Sequence, residues 1–385
     1  MTTAAAGSAP QIAFYAPLKS PRHPTPSGDR KIAQLFFSAL QQAGFDVQLA
    51  SQLRSFDKKG DALRQQRLIA VAKKEAKRII KRWRTQNFKP CAWFSYHLYY
   101  KAPDLIGPII CQQLNIPYLV AEASWAIKHA NGPWSLYHQQ LDKALQIASK
   151  VICINPIDKI AITDYYAANA GKKVVSMNAF IDDLPQDTLV TDKETLATNY
   201  ALNAKKPWLI CIAMMRSGDK HRSYQQLCQV IHKLESPYQL LMVGDGEMRE
   251  QVEQLFADLN DVKFCGTLNS HQLNSLLPHC DLLVWPAINE ALGMVFLEAQ
   301  RAGVAVIAGD QGGVSSIVKH NHSGMLSDAY NSTVMAANIQ QILSDPSRLA
   351  QLKSNTQPYI AKNHSLAASA KQLTVIIQHA TEDFS

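Results

Sequence analysis

Apolar positions along the chain fall into short continuous runs separated by longer stretches with a three- to four-residue apolar period. Ile12-Ala13-Phe14-Tyr15 is a strand-length run followed by a helical pattern over about 30–43. Ala92-Trp93-Phe94-Ser95-Tyr96 precedes a helical stretch reaching about residue 114, and Pro117-Tyr118-Leu119-Val120 follows it. Continuous apolar runs, in place of strict alternation, mark strands buried on both faces, the β-α-β rhythm of a parallel sheet sandwiched by helices. A second series begins after a polar stretch near 182–203. It runs Trp208-Leu209-Ile210-Cys211-Ile212-Ala213, Gln239-Leu240-Leu241-Met242-Val243-Gly244, Val262-Lys263-Phe264, Asp281-Leu282-Leu283-Val284-Trp285 and Ala305-Val306-Ile307-Ala308. The pattern predicts an α/β protein of two doubly wound domains, with ligands expected at the carboxyl ends of the strands in a cleft between them.

Composition agrees with this reading. A chain of 385 residues, 47% hydrophobic and 18% charged, is ordinary for a globular protein of two to three domains. Its longest apolar runs are strand-sized and well short of the roughly 18–20 residues of a membrane span. The first ten residues have neither a basic start nor a long apolar stretch, so a cytoplasmic place is expected. Seven cysteines without a C-x-x-C pair read as buried thiols in a reducing compartment.

The net charge of +8 is concentrated. Between Lys58 and Lys89 stand twelve Lys or Arg and two acids, Asp61 and Glu75, while Ile69, Ala72, Ala76, Ile79, Ile80 and Trp83 recur at helical steps. This is an amphipathic helix. Two readings are open: a solvated helix packed by its apolar stripe, or a basic face over 64–84 resting on an anionic membrane surface, peripheral on its inner side. It lacks the interleaved aromatics of a nucleic-acid platform, so no nucleic-acid partner is expected.

The stretch Asn289-Glu290-Ala291-Leu292-Gly293-Met294-Val295-Phe296-Leu297-Glu298-Ala299-Gln300-Arg301-Ala302-Gly303 places two carboxylates eight residues apart, the second inside an apolar run. Helical rise separates their backbones by roughly 12 Å, more than the about 5–10 Å of a glycosidase carboxyl pair, and suits one long ligand touched at two points. Glu298 shares a helical face with Met294, Val295 and Ala302, where a buried charge needs a partner; a ribose diol or a structural cap would each supply one. Glu290 precedes the helix in a loop, Gly293 permits close backbone approach, and the first-turn N–H groups suit a phosphate. Arg216 and Lys220 flank Gly218 after a strand, where two cations can clamp a diphosphate or stand as surface charges at a helix start, and Gln311-Gly312-Gly313-Val314 offers further backbone donors.

A short repeat, Ser27-Gly28-Asp29-Arg30 and Ser217-Gly218-Asp219-Lys220, sets a glycine, a capping Asp and a cation at a helix start in each half, so Gly28 joins the candidate binding residues. His97 and Glu122 follow strands and are expected to meet substrate hydroxyls or to serve as satisfied structural polar groups. Gly244-Asp245-Gly246-Glu247-Met248-Arg249 has arginine where a dinucleotide fingerprint needs its third glycine. Neither a P-loop nor a D-x-D occurs, so no metal or other cofactor is expected.

On these residues the second half resembles family 4 of the retaining glycosyltransferases, whose GT-B fold sets two Rossmann-like domains facing each other. The family's proline after a strand, E-x7-E, small-x-G-x-P-V-I-A and G-G loop are similar to Trp285-Pro286 through Gly313, and the likeness covers about 208–326. It implies that Arg216 and Lys220 hold the donor diphosphate, Glu290 the transferred sugar and Glu298 the nucleotide ribose, with Gly293, Met294 and Val295 offering backbone groups. Asn178-Ala179-Phe180-Ile181-Asp182 resembles the family's exit segment, with alanine for glycine. The first half departs more: Ser27-Gly28-Asp29 stands for a glycine-rich loop, and Glu122 for a histidine.

The resemblance further implies a hexosyltransferase that moves sugar from a nucleotide diphosphate sugar to a carbohydrate or lipid-linked acceptor hydroxyl with retention and without metal, in surface-polysaccharide or glycolipid synthesis. The alternative is a sugar-nucleotide epimerase on the same scaffold. The expected domains are an acceptor-side domain over 1–182, a linker over 183–203, a nucleotide-sugar domain over 204–362 and a helix over 363–385 packing back toward the first domain.

Overall fold

The computed structural model describes residues 9–25, 27–184 and 191–384. Contacts divide the chain into two units, one running to Met177 and resuming at Leu366, the other Asn178–Ser365. The first eight residues, on which the export reading rests, lie outside the described residues, as do residues 185–190 of the expected linker.

In the first unit, β1 (Gln11–Tyr15), β2 (Asp46–Leu49), β3 (Pro90–Leu98), β4 (Tyr118–Ala123), β5 (Lys150–Cys153) and β6 (Val174–Ser176) form a parallel sheet in the order β2-β1-β3-β4-β5-β6. Its helices are α1 (Gly28–Gln42), α2 (Ala62–Gln86), α3 (Gly107–Leu114), α4 (Ser135–Ile147), α5 (Pro156–Tyr166) and the short α6 (Ala170–Lys173). The apolar stripe of α2 is spent inward: Ala72, Ala76, Ile79, Ile80 and Trp83 are buried in the core. The helix expected directly after β3 starts only at Gly107. Pro103 and Pro108 disfavour a helix interior there, and the Asp104 carboxylate ahead of α3 accepts the N–H groups of Ile106 and Gly107 at 2.8 and 2.7 Å.

The second unit holds α7 (Lys193–Tyr200), β7 (Trp208–Ile212), α8 (Asp219–Ile231), β8 (Gln239–Val243), α9 (Arg249–Leu255), β9 (Val262–Gly266), α10 (Ser270–Leu276), β10 (Leu282–Trp285), α11 (Met294–Arg301), β11 (Ala305–Gly309), α12 (Val314–Ile317), β12 (Gly324–Ser327), α13 (Ser332–Ser344) and α14 (Pro346–Asn363). Its parallel sheet has the order β12-β11-β10-β7-β8-β9. The doubly wound α/β class is therefore as expected in each unit. Part of the stretch expected as a linker is helix α7, capped by Asp192, with Leu196 and Ala197 in the core of this unit. The last helix, α15 (Leu366–Glu382), belongs to the first unit and packs on α1. Among the described residues no helix is long and apolar enough to cross a membrane.

Candidate functional site

In the second unit the chemistry gathers at the carboxyl ends of β7 and β10. Gly218, at φ +80°, starts α8, and Lys220 in its first turn donates to the Glu290 carboxylate. The ammonium also lies 5.4 Å from the centre of the Trp285 ring, so it rests on an apolar floor. Glu290 is the less exposed partner, its side chain 17% accessible against 33% for Lys220.

The loop that carries Glu290 is pinned from three sides. Ile288 N–H donates to Ser223 Oγ at 3.1 Å, Asn289 Nδ2 to Asp219 Oδ2 at 3.1 Å, and Gly313 N–H to the Ala291 carbonyl at 3.1 Å. A Cβ on Gly312 would stand 1.9 Å from the Glu290 carbonyl oxygen, and one on Gly313 would stand 2.5 Å from that of Ala291. The Gly312-Gly313 pair, expected as a source of free ligand donors, is thus a scaffold: it lets one loop pack against the backbone of Glu290 and spends the Gly313 N–H doing so.

Gly293 begins α11 in the left-handed region at φ +69°, and a Cβ there would meet the Phe296 ring at 2.5 Å. Among the described residues no side chain caps α11, so the backbone N–H groups of Met294 and Val295 lie at a helix start without a side-chain acceptor. Phe296, Leu297, Ala299 and Gln300 are buried, whereas Met294, Val295 and Glu298 are half-buried. Glu298 thus shares the half-buried side of the helix with Met294 and Val295, as its spacing of four and three residues from them predicts.

Arg216 is exposed and is not joined to Glu290; its loop is fixed instead by Glu247, which accepts from Ser217 N–H and Oγ at 3.2 and 3.0 Å. Gly244 and Gly246 explain the incomplete dinucleotide pattern. Added Cβ atoms would approach the Ala213 and Met215 carbonyl oxygens to 1.9 and 2.2 Å, so both glycines serve loop-on-loop packing next to Arg216.

In the first unit, Gly28 opens α1, but Ser27 is the cap, accepting Arg30 N–H. Asp29, expected as the cap, accepts from His97 Nδ1 at 2.9 Å, and Asp219 in the matching segment pairs with Arg222 and Asn289. The His97 hydrogen bond, followed by the ring's charge, holds the Asp29 carboxyl below its ordinary value, although burial opposes this. Glu122 is buried, and its Oε1 accepts from the N–H groups of Ile154 and Asn155 at 2.6 and 3.3 Å. Burial pushes its carboxyl up to about 7, with nearby Asp158 adding and His97 opposing. Among the described residues no group of three or more His, Cys, Asp or Glu is placed to hold a metal ion.

Residues 192–358, the greater part of the second unit, match the family Glycosyl transferases group 1. The chain is 36% identical over 102 residues to a D-inositol 3-phosphate glycosyltransferase of Thermobispora bispora, covering 26% of this chain and 24% of that one. It is 30% identical over 148 residues to a GDP-mannose-dependent monoacylated alpha-(1-6)-phosphatidylinositol monomannoside mannosyltransferase of Corynebacterium glutamicum, covering 36% and 39%. The match thus spans well under half the length of these relatives. Among solved structures, HepE of Anabaena in complex with UDP and glucose aligns over 96% of this chain and 99% of its own, with a TM-score of 0.66 at 16% identity. That likeness fixes the fold as GT-B.

Proposed function

We propose that this chain is a retaining glycosyltransferase that moves a hexose from a nucleotide diphosphate sugar to an acceptor hydroxyl. The observation that carries the reading is the Lys220–Glu290 pair over Trp285, at the carboxyl ends of two sheet strands and one turn before the uncapped start of α11. A half-buried carboxylate in a loop locked on three sides is preorganised to receive sugar hydroxyls, and a half-exposed lysine beside it offers a diphosphate its counter-charge. Arg216 adds a second cation, the N–H groups of Met294 and Val295 meet phosphate oxygens, and Glu298 takes the ribose diol. The family match over this unit, the GDP-mannose donor named for one relative and the UDP and glucose bound in a structure of the same fold support the same donor class.

In the mechanism we propose, the acceptor oxygen bonds to the anomeric carbon on the face from which the diphosphate leaves. The carbon–oxygen bond to the diphosphate breaks with its electron pair on phosphate, and a phosphate oxygen takes the acceptor proton. Arg216 and Lys220 stabilise the charge that develops on the leaving group; no protein nucleophile and no metal ion takes part. We assign the first unit to the acceptor, a carbohydrate or lipid-linked glycan of surface-polysaccharide or glycolipid synthesis. In this reading it works in the cytoplasm, held at the inner membrane face through the basic side of α2.

Glu290→Gln and Lys220→Ala should each lower transfer by about 10²–10³-fold, as removal of a preorganised charge-stabilising group does. The assay follows labelled sugar from UDP- and GDP-hexoses into glycan acceptors, and undiminished transfer by either variant would sink the assignment. The anomeric configuration of the product, read by NMR, tests retention separately. EDTA treatment should leave the rate unchanged.

A further inference from the structure

Asn87, Phe88 and Lys89 alone carry the chain from the end of α2 into β3. Asn87 takes the left-handed conformation at φ +50°, and its N–H and that of Phe88 both return to the Trp83 carbonyl, so α2 stops abruptly and Pro90 prevents its resumption. The turn folds the Phe88 ring back to 5.1 Å from that of Trp83. Helix α3 ends in the same way at Asn115, φ +51°, with the Ile116 N–H returning to the Cys111 carbonyl at 3.2 Å. Between these two helix ends and the start of β3 lies a cavity of about 370 Å³. That is within the roughly 300–1,000 Å³ of small-molecule sites. At about 3.3 Å per residue, Pro90 at its edge stands about 23 Å along β3 from His97. The cavity therefore occupies the amino end of the sheet, opposite the end that receives ligands in such folds.

Its walls and its mouth differ in chemistry. Ile80, Trp83 and Phe88 are buried, and Leu114 and Ile116 are half-buried. The Trp83 indole N–H is already given to Gln48 Oε1 at 2.9 Å, so that ring offers the cavity carbon only. Arg84 and Lys89 are exposed, and among the described residues no Asp or Glu lines the cavity. Lys77 and Lys81 precede Arg84 at steps of four and three along one ridge of α2, while Glu75, the single acid of that helix, accepts from Ser51 Oγ at 3.0 Å. Arg84 in the last turn complements the partial negative charge of a helix end, but Lys89 lies beyond the helix and has no such task. An apolar interior thus opens through a mouth of positive charge.

We propose that this cavity binds a soluble single-chain anionic amphiphile, its alkyl chain against Ile80, Trp83, Phe88 and Leu114 and its phosphate or carboxylate head between Arg84 and Lys89. The guanidinium fork matches two oxygens of such a head, and the ammonium supplies a second charge. The ligand enters as a free molecule, because the exposed face of α2 carries charge with little apolar surface to enter a bilayer. None of the residues of the Lys220–Glu290 site takes part, so the site stands whether or not sugar is transferred.

Calorimetry of the full chain with octyl phosphate, kept below its micelle concentration, tests the site, with octanol as the uncharged control. Octyl phosphate should bind saturably at one site, and octanol about tenfold more weakly, the size of one charge-assisted hydrogen bond. The double variant Arg84→Gln, Lys89→Gln should bring the two probes to the same affinity, and Leu114→Trp, which fills the cavity, should abolish both. The glutamine variant changes only exposed side chains, so it decides the matter even if the tryptophan variant does not fold. Hydrogen exchange should slow on binding at Asn87–Pro90 and Leu114–Ile116. Equal affinities in the wild type would reduce the two cations to helix-end charges and overturn the proposal, as would no saturable binding or protection confined to other segments. Displacement of octyl phosphate by anionic vesicles as effective as by the free probe would make the ligand a membrane lipid and overturn the soluble one.

Discussion

Glu122 is a carboxyl in a place that favours its neutral form, and this sets a pH dependence on stability. Its ordinary value of 4.5 is raised to about 7 in the fold, chiefly by burial. A raised value means that the folded chain holds the proton more tightly than the unfolded one. The stabilisation is fully present below pH 4.5 and is lost as pH rises through 7. The slope contributed by one proton is at most about 1.4 kcal/mol per pH unit. Asp104 acts in the same direction, because burial raises its carboxyl as well despite hydrogen bonds from Ser95, the Gly107 and Ile106 N–H groups and Tyr118. Comparing the wild type with Glu122→Gln therefore isolates Glu122: glutamine keeps an oxygen for Ile154 and Asn155 but has no proton to lose. Urea unfolding from pH 5 to 8.5 should give a wild-type stability that declines toward high pH and a flatter curve for the variant; parallel curves would contradict the environment described for Glu122.

At the scale of elements, what was legible in the sequence tracks burial. Strands β7, β8, β10 and β11 are covered on both faces and wrote themselves as unbroken apolar runs. Edge strands β2 and β6 bury little and have no such run, so nothing in their composition sets them apart from loops. The candidate Glu290, Lys220 and Gly293 were legible from type and spacing, whereas the Asp29–His97 bond joins residues 68 positions apart and has no local signature. Glycines were legible as glycines but not in purpose. Gly312 sits at φ +56° with its missing Cβ aimed at the Glu290 carbonyl, so Gly312→Ala must push two loops apart. It should cost roughly 1–3 kcal/mol, the range of a strained backbone position, and reduce transfer through displacement of Glu290. Thermal melts and transfer rates check both; a stable variant with full activity would remove the scaffold role. Helix α2 gives an equally definite expectation. With Ala72, Ala76, Ile79, Ile80 and Trp83 already buried, the face carrying Lys73, Lys74, Lys77, Arg78 and Lys81 has charge to offer a membrane but little apolar surface. Binding to vesicles rich in anionic lipid should therefore collapse as salt rises from 50 to about 500 mM, where the screening length falls from above 10 Å to about 4 Å. Flotation that persists in high salt would point to insertion of apolar side chains instead.

Over the whole molecule, each unit has its own six-stranded sheet, and the chain passes from one unit to the other at Met177–Asn178 and returns at Ser365–Leu366. Separate cores make separate cooperative transitions the natural expectation, and a ligand stabilises only the unit that binds it. If Lys220, Arg216, the start of α11 and Glu298 grip a nucleotide diphosphate, the second unit alone should gain. At a ligand concentration of about 100 Kd the gain is roughly 2.7 kcal/mol. Hydrogen exchange followed by mass spectrometry separates the two, since β7, β10 and β11 report on one unit and β1, β3 and β4 on the other. UDP, GDP or ADP, whichever binds, should slow exchange in the first set and leave the second near its starting rate. Glu298→Ala should weaken that protection, because a ribose diol loses its carboxylate, while adenine, guanine or uracil selectivity stays as it was. Protection arising in β1, β3 and β4 instead would transfer the donor site to the other unit and with it the roles of Lys220 and Glu290.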